Sequence, residues 1–293
     1  MFENPFDSAG NWYKGNIHTH SNNSDGELSP EKLSGWYKNH GYDFLVISDH
    51  DKLTDVSRLS DSTFLLINGI EFGVASSETE TSYHLLALGP TKEIQLPEGI
   101  DVQGAIDLIR SQGAEVIVAH PYWSGLTINQ LLPLQRAIGI EVFNTTCLTS
   151  IGKGISSVHW DDLLARGKQL LGFAVDDAHF HRPDHGQGWI MVKAPGLTKE
   201  DIMAGITEGC FYSTCGPEIL DIQLHQDSIW VKCSEVTAIN FMSDFSRGKR
   251  VQAENGDLLT EAEFKWGGKE RYVRVECVDV AGRLAWSNPF FLK

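Results

Sequence analysis

Residues 15–26 read GNIHTHSNNSDG, with His18 and His20 one residue apart at the end of a short apolar run and Asp25 five residues beyond. A strand that runs out into imidazoles and a carboxylate is the pattern of a parallel α/β protein whose working residues gather at strand C-termini. The pattern recurs downstream. FLVISDHD closes on Asp49, His50 and Asp51, LLINGIEFG carries Glu71, EVIVAHPYW closes on His120, GIEVFN on Asn144, and LLGFAVDDAHFH on Asp176, Asp177 and His179. SYHLLALG is the irregular member, with His84 at the start of its strand or in an antiparallel segment.

Around these motifs, from Gly15 to about Thr214, β-rich runs alternate with segments of helical period, as expected of parallel βα units. The expected strands cover residues 16–19, 44–48, 64–70, 83–88, 115–119, 140–143, 170–175 and 189–192. SPEKLSGWYKNHG offers Ser29 as helix cap, Pro30 at the first helical position and Gly41 as stop, with Leu33, Trp36 and Tyr37 on one face. DVQGAIDLIRSQG, TINQLLPLQRAIG and VHWDDLLARGKQ repeat the style, Pro133 bending or interrupting the second. After GPEI, at 216–219, short alternating strands with polar turns take over. The expected division is therefore an α/β barrel over residues 1–217 and a small antiparallel β domain over 218–293.

With 293 residues, 41% of them hydrophobic, the chain can bury a sizeable core. No apolar run is long enough to cross a bilayer, and MFENPFDSAG lacks the basic and apolar segments of a secretion signal, so a cytoplasmic protein is expected. Cys147, Cys210, Cys215, Cys233 and Cys277 are odd in number and form no C-x-x-C pair, which suits buried thiols better than a disulfide framework. The net charge of −15 argues against a stable nucleic-acid partner or an anionic membrane. It leaves room for a small anionic substrate, because bound divalent cations reverse the local sign.

One histidine after an apolar strand is most simply a hydrogen-bonded structural residue; recurrence across successive strands is what points to a shared site. In a closed barrel these ends meet at one mouth, where gathered carboxylates are costly unless cations compensate them. Imidazole and carboxylate donors without cysteine suit Zn, Mn or Fe and disfavour a thiolate structural zinc site. Competing chemistries lack their parts: there is no G-x-S-x-G elbow, Walker-type loop or G-x-G-x-x-G after a strand, and SIGKGIS has the wrong spacing.

Taken in order, HTHSNNSDG, ISDHD, GIEF, SYHLLALG, AHP, IEVFN and VDDAH resemble the PHP family, the polymerase-and-histidinol-phosphatase metallohydrolases, over most of residues 15–215. The resemblance implies a distorted (β/α)7-type barrel holding two to three divalent transition metal ions at the strand ends. It implies that His18, His20, Glu71 and Asp177 bind a first metal, that Glu71 bridges to a second bound also by His84 and His120, and that Asp25, His50 and His179 bind a third. The reaction expected is hydrolysis of a small phosphate ester, a nucleotide-like phosphomonoester or phosphodiester. GCFYSTCGPEI and VECVDVAGRLAWSNPFFL are similar to a subgroup that includes carbamate-cleaving enzymes resembling carbaryl hydrolase, so a carboxyl-ester or carbamate hydrolase is the enzymatic alternative. A metal-stabilised binding protein without turnover is the non-enzymatic one.

Around this set, Asp49 and Asp176 are candidates to orient ligand imidazoles, or else to cap helices or bind backbone amides. His181, Arg182 and His185 in HFHRPDHGQG are the candidates for binding phosphate or protonating a leaving group, against the alternative of a solvated loop. Asn144 and Tyr122 are candidate cleft residues. His159 and Trp160 suit packing in a helix, and His40 and His225 lack a supporting constellation.

Overall fold

The computed structural model describes residues 4–76 and 80–292. The first strands are β1 (Asn11–Asn16), β2 (Phe44–Ile47), β3 (Leu65–Ala75), β4 (Ser82–Leu88), β5 (Glu115–Val118), β6 (Gly139–Asn144), β7 (Leu171–Val175), β8 (Trp189–Ala194) and β9 (Phe211–Thr214). They are interleaved with α1 (Pro30–Asn39), α2 (Val102–Ser111), α3 (Ile128–Leu131), α4 (Thr145–Ile151), α5 (Ser157–Ala165) and α6 (Lys199–Glu208). The result is a mixed α/β fold built on one large sheet, in which strands β1 to β7 are neighbours in chain order. Every side chain of β2, FLVI, is buried, as a strand covered on both faces requires.

The pairs β1–β2, β2–β3, β5–β6 and β6–β7 are parallel. The parallel pattern breaks at β4, which is antiparallel to both β3 and β5, the second of the two alternatives open for SYHLLALG. Only residues 76–81 separate β3 from β4, too few for a crossover of about a dozen residues, so the chain must fold back on itself. β8 runs antiparallel to β1, and β9 to β8. The first strand also ends earlier than expected, and residues 17–20 continue as extended chain. The Ser48 amide donates to the Thr19 carbonyl at 2.8 Å, the Asp177 amide to the His18 carbonyl at 2.9 Å, and the His20 amide to the Ala178 carbonyl at 2.9 Å. The first bond ties the chain after β1 to the chain after β2, and the other two tie it to the chain after β7, at the end that carries the motifs.

Helix α1 is capped by Ser29, begins at Pro30, and buries Leu33 and Tyr37. α3 has only four residues and stops before Pro133, after a capping box between Thr127 and Gln130. α4 and α6 were not among the expected helices. α4 is a short, threonine-rich helix capped by Asn144, whereas α6 carries ordinary signals in Thr198 as cap and Gly209 as left-handed stop.

The remaining strands are β10 (Ile219–Leu224), β11 (Ser228–Val236), β12 (Ala238–Met242), β13 (Gly248–Gln252), β14 (Leu259–Lys265), β15 (Tyr272–Val278), β16 (Leu284–Ser287) and β17 (Phe290–Phe291). All their pairings are antiparallel. β16 pairs with β9, so the large sheet continues into the C-terminal strands. Their core, including Ile222, Val231, Phe241 and Val275, also takes in Tyr212 and Trp12 from the earlier part of the chain. All five cysteines are buried. Among the described residues no helix is long and apolar enough to cross a membrane.

The most costly group in this junction is Arg274 on β15, which is fully buried. Its guanidinium meets the Asp161 carboxylate on α5 through Nε at 2.8 Å and Nη2 at 2.7 Å, and lies over the Trp160 ring at 4.9 Å. Without Asp161 the buried guanidinium would keep only its longer contact from Nη1 to Glu276 Oε2 at 3.3 Å, a poor substitute in a low-dielectric interior. Asp161→Ala is expected to destabilise the fold by about 3 kcal/mol in urea unfolding, and Arg274→Met, which removes the buried charge itself, by clearly less; equal losses would contradict this account.

Candidate metal centre

Each motif side chain is placed by a backbone that stays bonded past the end of its strand. The Asp51 amide donates to the Glu71 carbonyl at 2.9 Å, which holds His50 beside Glu71. Gly26 lets the first loop fold back: a Cβ there would overlap the His20 carbonyl, and the tight return brings Asp25 to the imidazoles. His120 and Asp177 sit just past β5 and β7 with φ of 27° and 56°, a left-handed backbone that non-glycine residues adopt at a cost and that is common at functional sites.

Three groups of donor atoms result: His18, His20, Glu71 and Asp177; Glu71, His84 and His120; and His20, Asp25, His50 and His179. All nine residues that the motifs singled out as metal ligands are brought together. The third group gains His20 beyond the three expected members. Glu71 is buried and faces five imidazoles. Its Oε2 lies 3.0 Å from His18 Nε2, 3.1 Å from His20 Nε2 and 3.3 Å from His50 Nδ1, and its Oε1 lies 2.8 Å from His84 Nδ1 and 3.2 Å from His120 Nε2. Asp177 Oδ1 is 3.3 Å from His18 Nε2 and 3.1 Å from His20 Nε2. Asp25 joins from a more exposed position, with Oδ2 3.3 Å from His179 Nε2 and 3.7 Å from His50 Nε2.

This donor set fits cations. Tetrahedral bonds of about 2.0–2.1 Å place donor atoms about 3.3–3.4 Å apart, close to the spacing in the first group. His18 donates through Nδ1 to Glu141 Oε1 at 2.6 Å, so in the neutral ring the Nε2 lone pair points at the carboxylate of Glu71. Lone pair facing lone pair calls for a proton or a cation between them. Buried His20 Nδ1 and Asp177 Oδ1 have no hydrogen-bond partner at all.

The electrostatics agree. Burial lowers the basicity of His18, but Asp177, Glu71 and Glu141 overcome it and raise the imidazole well above its usual value. Burial likewise opposes the charging of His20, yet the carboxylates of Asp177 and Glu71 beside its Nε2 raise it to about 9. His120 is raised by Glu71 and Glu141 against the same desolvation. Burial pushes Glu71 upward, and His18 and the other imidazoles outweigh that, holding its carboxyl well below the ordinary range. His50, by contrast, is lowered by burial.

Beneath the donors lies a second carboxylate that the motifs did not single out. Glu141 is fully buried and also accepts the His120 amide at 2.8 Å and Asn144 Nδ2 at 2.9 Å. Asn144 donates to Asp177 Oδ2 at 3.1 Å and accepts from the Cys147 amide at 2.9 Å, thereby capping α4. Thus the orienting role considered for Asp49 and Asp176 falls to Glu141. Asp49 binds the Ser21 amide and the hydroxyls of Ser21, Ser24 and Thr54, which shapes the loop carrying Asp25. Asp176 accepts from Tyr37, Thr145 and the amides of Gly186, Gln187 and Gly188, which anchors the segment after His179. The signal for Glu141 was present: an acid inside the apolar strand GIEVFN must have partners.

The donors open into a cleft of about 400 Å³, also lined by Trp123, Thr146, Cys147, Ser150, Ile151, His181, Arg182 and Asp184. Of the three candidate polar catalytic residues, His181 and Arg182 line it, with His181 Nε2 donating to the Asp25 carbonyl at 2.7 Å. His185 is placed elsewhere, stacked on Phe180 at 4.1 Å and edge-on to Trp36 at 4.7 Å. Tyr122 does not line the cleft, and Asn144 acts below its floor. Trp160 is buried and donates to the Leu170 carbonyl, His159 donates to the Leu126 carbonyl, and His40 stacks on Trp36. The backbone amide of His225 donates to the Ser228 carbonyl at a hairpin turn far along the chain.

Because His18, His20 and His120 hold protons more tightly than free imidazole, an entering cation must displace them. Metal loading is expected to release protons, and affinity to rise from about pH 6 to about pH 8, measured by calorimetry in buffers of differing ionisation enthalpy. Glu141→Gln is expected to weaken metal binding about 10- to 100-fold with the fold retained; unchanged affinity would refute its orienting role.

No protein-family model and no curated protein matches the sequence. Among solved structures, a two-domain protein from Bacteroides vulgatus containing a predicted PHP-like metal-dependent phosphoesterase is similar over 100% of this chain and 98% of its own, with TM-score 0.53 and 16% identity. An amidohydrolase from Chromobacterium violaceum, solved with sulfate and no metal, is similar over 67% of this chain and 96% of its own, with TM-score 0.48 and 15% identity. A candidate metal-dependent phosphoesterase from Bifidobacterium adolescentis is similar over 58% of this chain and 89% of its own, with TM-score 0.43 and 16% identity. Across its whole length, then, the chain shares the fold of the two-domain PHP-like protein.

Proposed function

We propose that the chain is a metal-dependent hydrolase of small phosphate esters, built on a seven-strand barrel of the PHP kind. The observation that carries the reading is the sharing of Glu71 between two donor groups, with a third alongside, at the floor of an open cleft. A purely structural metal site is closed and needs fewer donors. The fold neighbour's description as containing a predicted metal-dependent phosphoesterase agrees with this choice.

In this reading His18, His20, Glu71 and Asp177 hold one cation, Glu71, His84 and His120 a second, and Asp25, His50 and His179, with His20 beside them, a third. Bound Zn, Mn or Fe would supply a water of lowered pKa and neutralise phosphoryl charge. The chain does the rest. Glu71 presents Oε2 to His18 and His20 and Oε1 to His84 and His120, Glu141 holds the His18 ring and the His120 backbone, and Asn144 steadies Asp177. Arg182, at the rim, is suited to phosphoryl oxygens, and His181 beside it to handing a proton to the departing oxygen. His185 is left out of the chemistry because it packs between Phe180 and Trp36.

Plasma mass spectrometry on the purified protein is expected to find two to three transition metals per chain, with ester turnover lost on chelation and restored on reloading. His20→Ala is expected to lose metal from two groups and to lower turnover at least about 1000-fold while keeping its circular dichroism. A protein that cannot be loaded would refute the reading, and turnover of carboxyl esters or aryl carbamates in place of phosphate esters would replace the phosphoesterase by the other hydrolase.

A further inference from the structure

The cleft lining falls into two chemically different parts. His181 and Arg182 are polar and exposed. Trp123, just after β5, and Ile151, at the end of α4, are apolar, yet 40% and 60% of their surfaces are open to solvent. Two of the cleft's hydroxyls donate to the backbone. Thr146 Oγ1 donates to the Asp177 carbonyl at 2.6 Å, and Ser150 Oγ donates to the Cys147 carbonyl at 3.3 Å. Burial, with Asp177, Glu141 and Glu71 nearby, pushes the Cys147 thiol up and keeps it neutral.

A sugar ring set against this wall would give up water and find the indole N–H of Trp123 as the one hydrogen-bonding group that the two side chains offer, leaving most of its hydroxyls there unpaired. A flat apolar ring would bury the indole and the isoleucine together, the kind of contact in which aromatic side chains contribute most. The wall is also close to the reacting centre. Trp123 stands edge-on to His120 at 5.0 Å and to His84 at 5.8 Å, both of them members of the Glu71 group.

We propose that Trp123 and Ile151 form a subsite for a flat apolar group, so that the preferred substrates are phosphate esters of phenol-like alcohols and not of sugars. The proposal rests on the phosphoesterase reading and narrows its substrate class. In the reaction, water oxygen bonds to phosphorus, the bond from phosphorus to the aryl oxygen breaks, and the phenolate leaves with the electron pair and takes up a proton. The apolar wall receives the ring while Arg182 faces the phosphoryl oxygens.

The test uses the metal-loaded chain with two non-hydrolysable probes, phenylphosphonate and methylphosphonate, titrated by calorimetry, and with the two matching esters, phenyl phosphate and methyl phosphate, in turnover. The unaltered chain is expected to bind the phenyl probe at least about fivefold more tightly than the methyl probe. Trp123→Ala and Ile151→Asn are each expected to erase most of that preference, with Trp123→Phe retaining it and metal content equal in all variants. The change in kcat/KM between variants, taken as a ratio of the two esters so that leaving-group reactivity cancels, should follow through KM. No preference in the unaltered chain, or equal weakening of both probes, overturns the subsite. A Trp123-dependent preference in binding with no turnover of either ester removes the phosphomonoesterase reading and leaves the subsite standing.

Discussion

A carboxylate buried among five imidazoles is the constraint around which the molecule is arranged. Glu71 is 1% exposed, and an isolated charge there would be prohibitive. Its neighbours come from the chain after β1, β2 and β5 and from the start of β4, so the carboxylate is compensated only when those strands are in register. The antiparallel β4 is part of the solution. Because it runs against β3, its first residues lie level with the last residues of β3, and His84 pairs opposite Gly73, close to Glu71. A parallel strand would have put that histidine at the far end of the sheet.

The buried acids beneath and beside the donors divide the labour. Glu141 restrains the His18 imidazole, the His120 backbone and, through Asn144, a carboxylate. Asp49 spends its oxygens on the loop that delivers Asp25, and Asp176 on the segment that follows His179. Each is fully buried and each is saturated with donors, which is how such groups persist in a protein interior. Asn144 connects this layer to the backbone by capping α4, so the helix that walls the cleft starts from the same side chain that steadies Asp177. Rigidity of this kind suits a site whose donor atoms must keep fixed separations.

Much of this was legible in the order of residues. Most of the nine donors were marked by apolar runs that lead into His, Asp or Glu, the full set by the resemblance of the ordered motifs to the PHP family, and the helix α1 was readable from Ser29, Pro30 and Gly41. Less visible were the direction of β4 and β8, since an apolar run reads alike in either direction. The role of Glu141 was hidden for a related reason: its partners His18 and His120 lie 123 and 21 residues away. His185 stood in the same short motif as His181 and Arg182, yet its ring turned to Trp36, and no local pattern distinguishes the three.

The sequence by itself determined that imidazoles and carboxylates recur where apolar runs give way to loops, because that recurrence follows from local alternation and from the cost of leaving acids and imidazoles at the edge of a core. It also determined that the C-terminal segment is antiparallel β. Only the tertiary structure decided which donors share a group, that His20 faces two of them, and that Trp123 and Ile151 wall the cleft. Those are relations between atoms far apart in the chain, set by strand order, direction and register, and a difference of one residue in register would have sent each side chain to the other face.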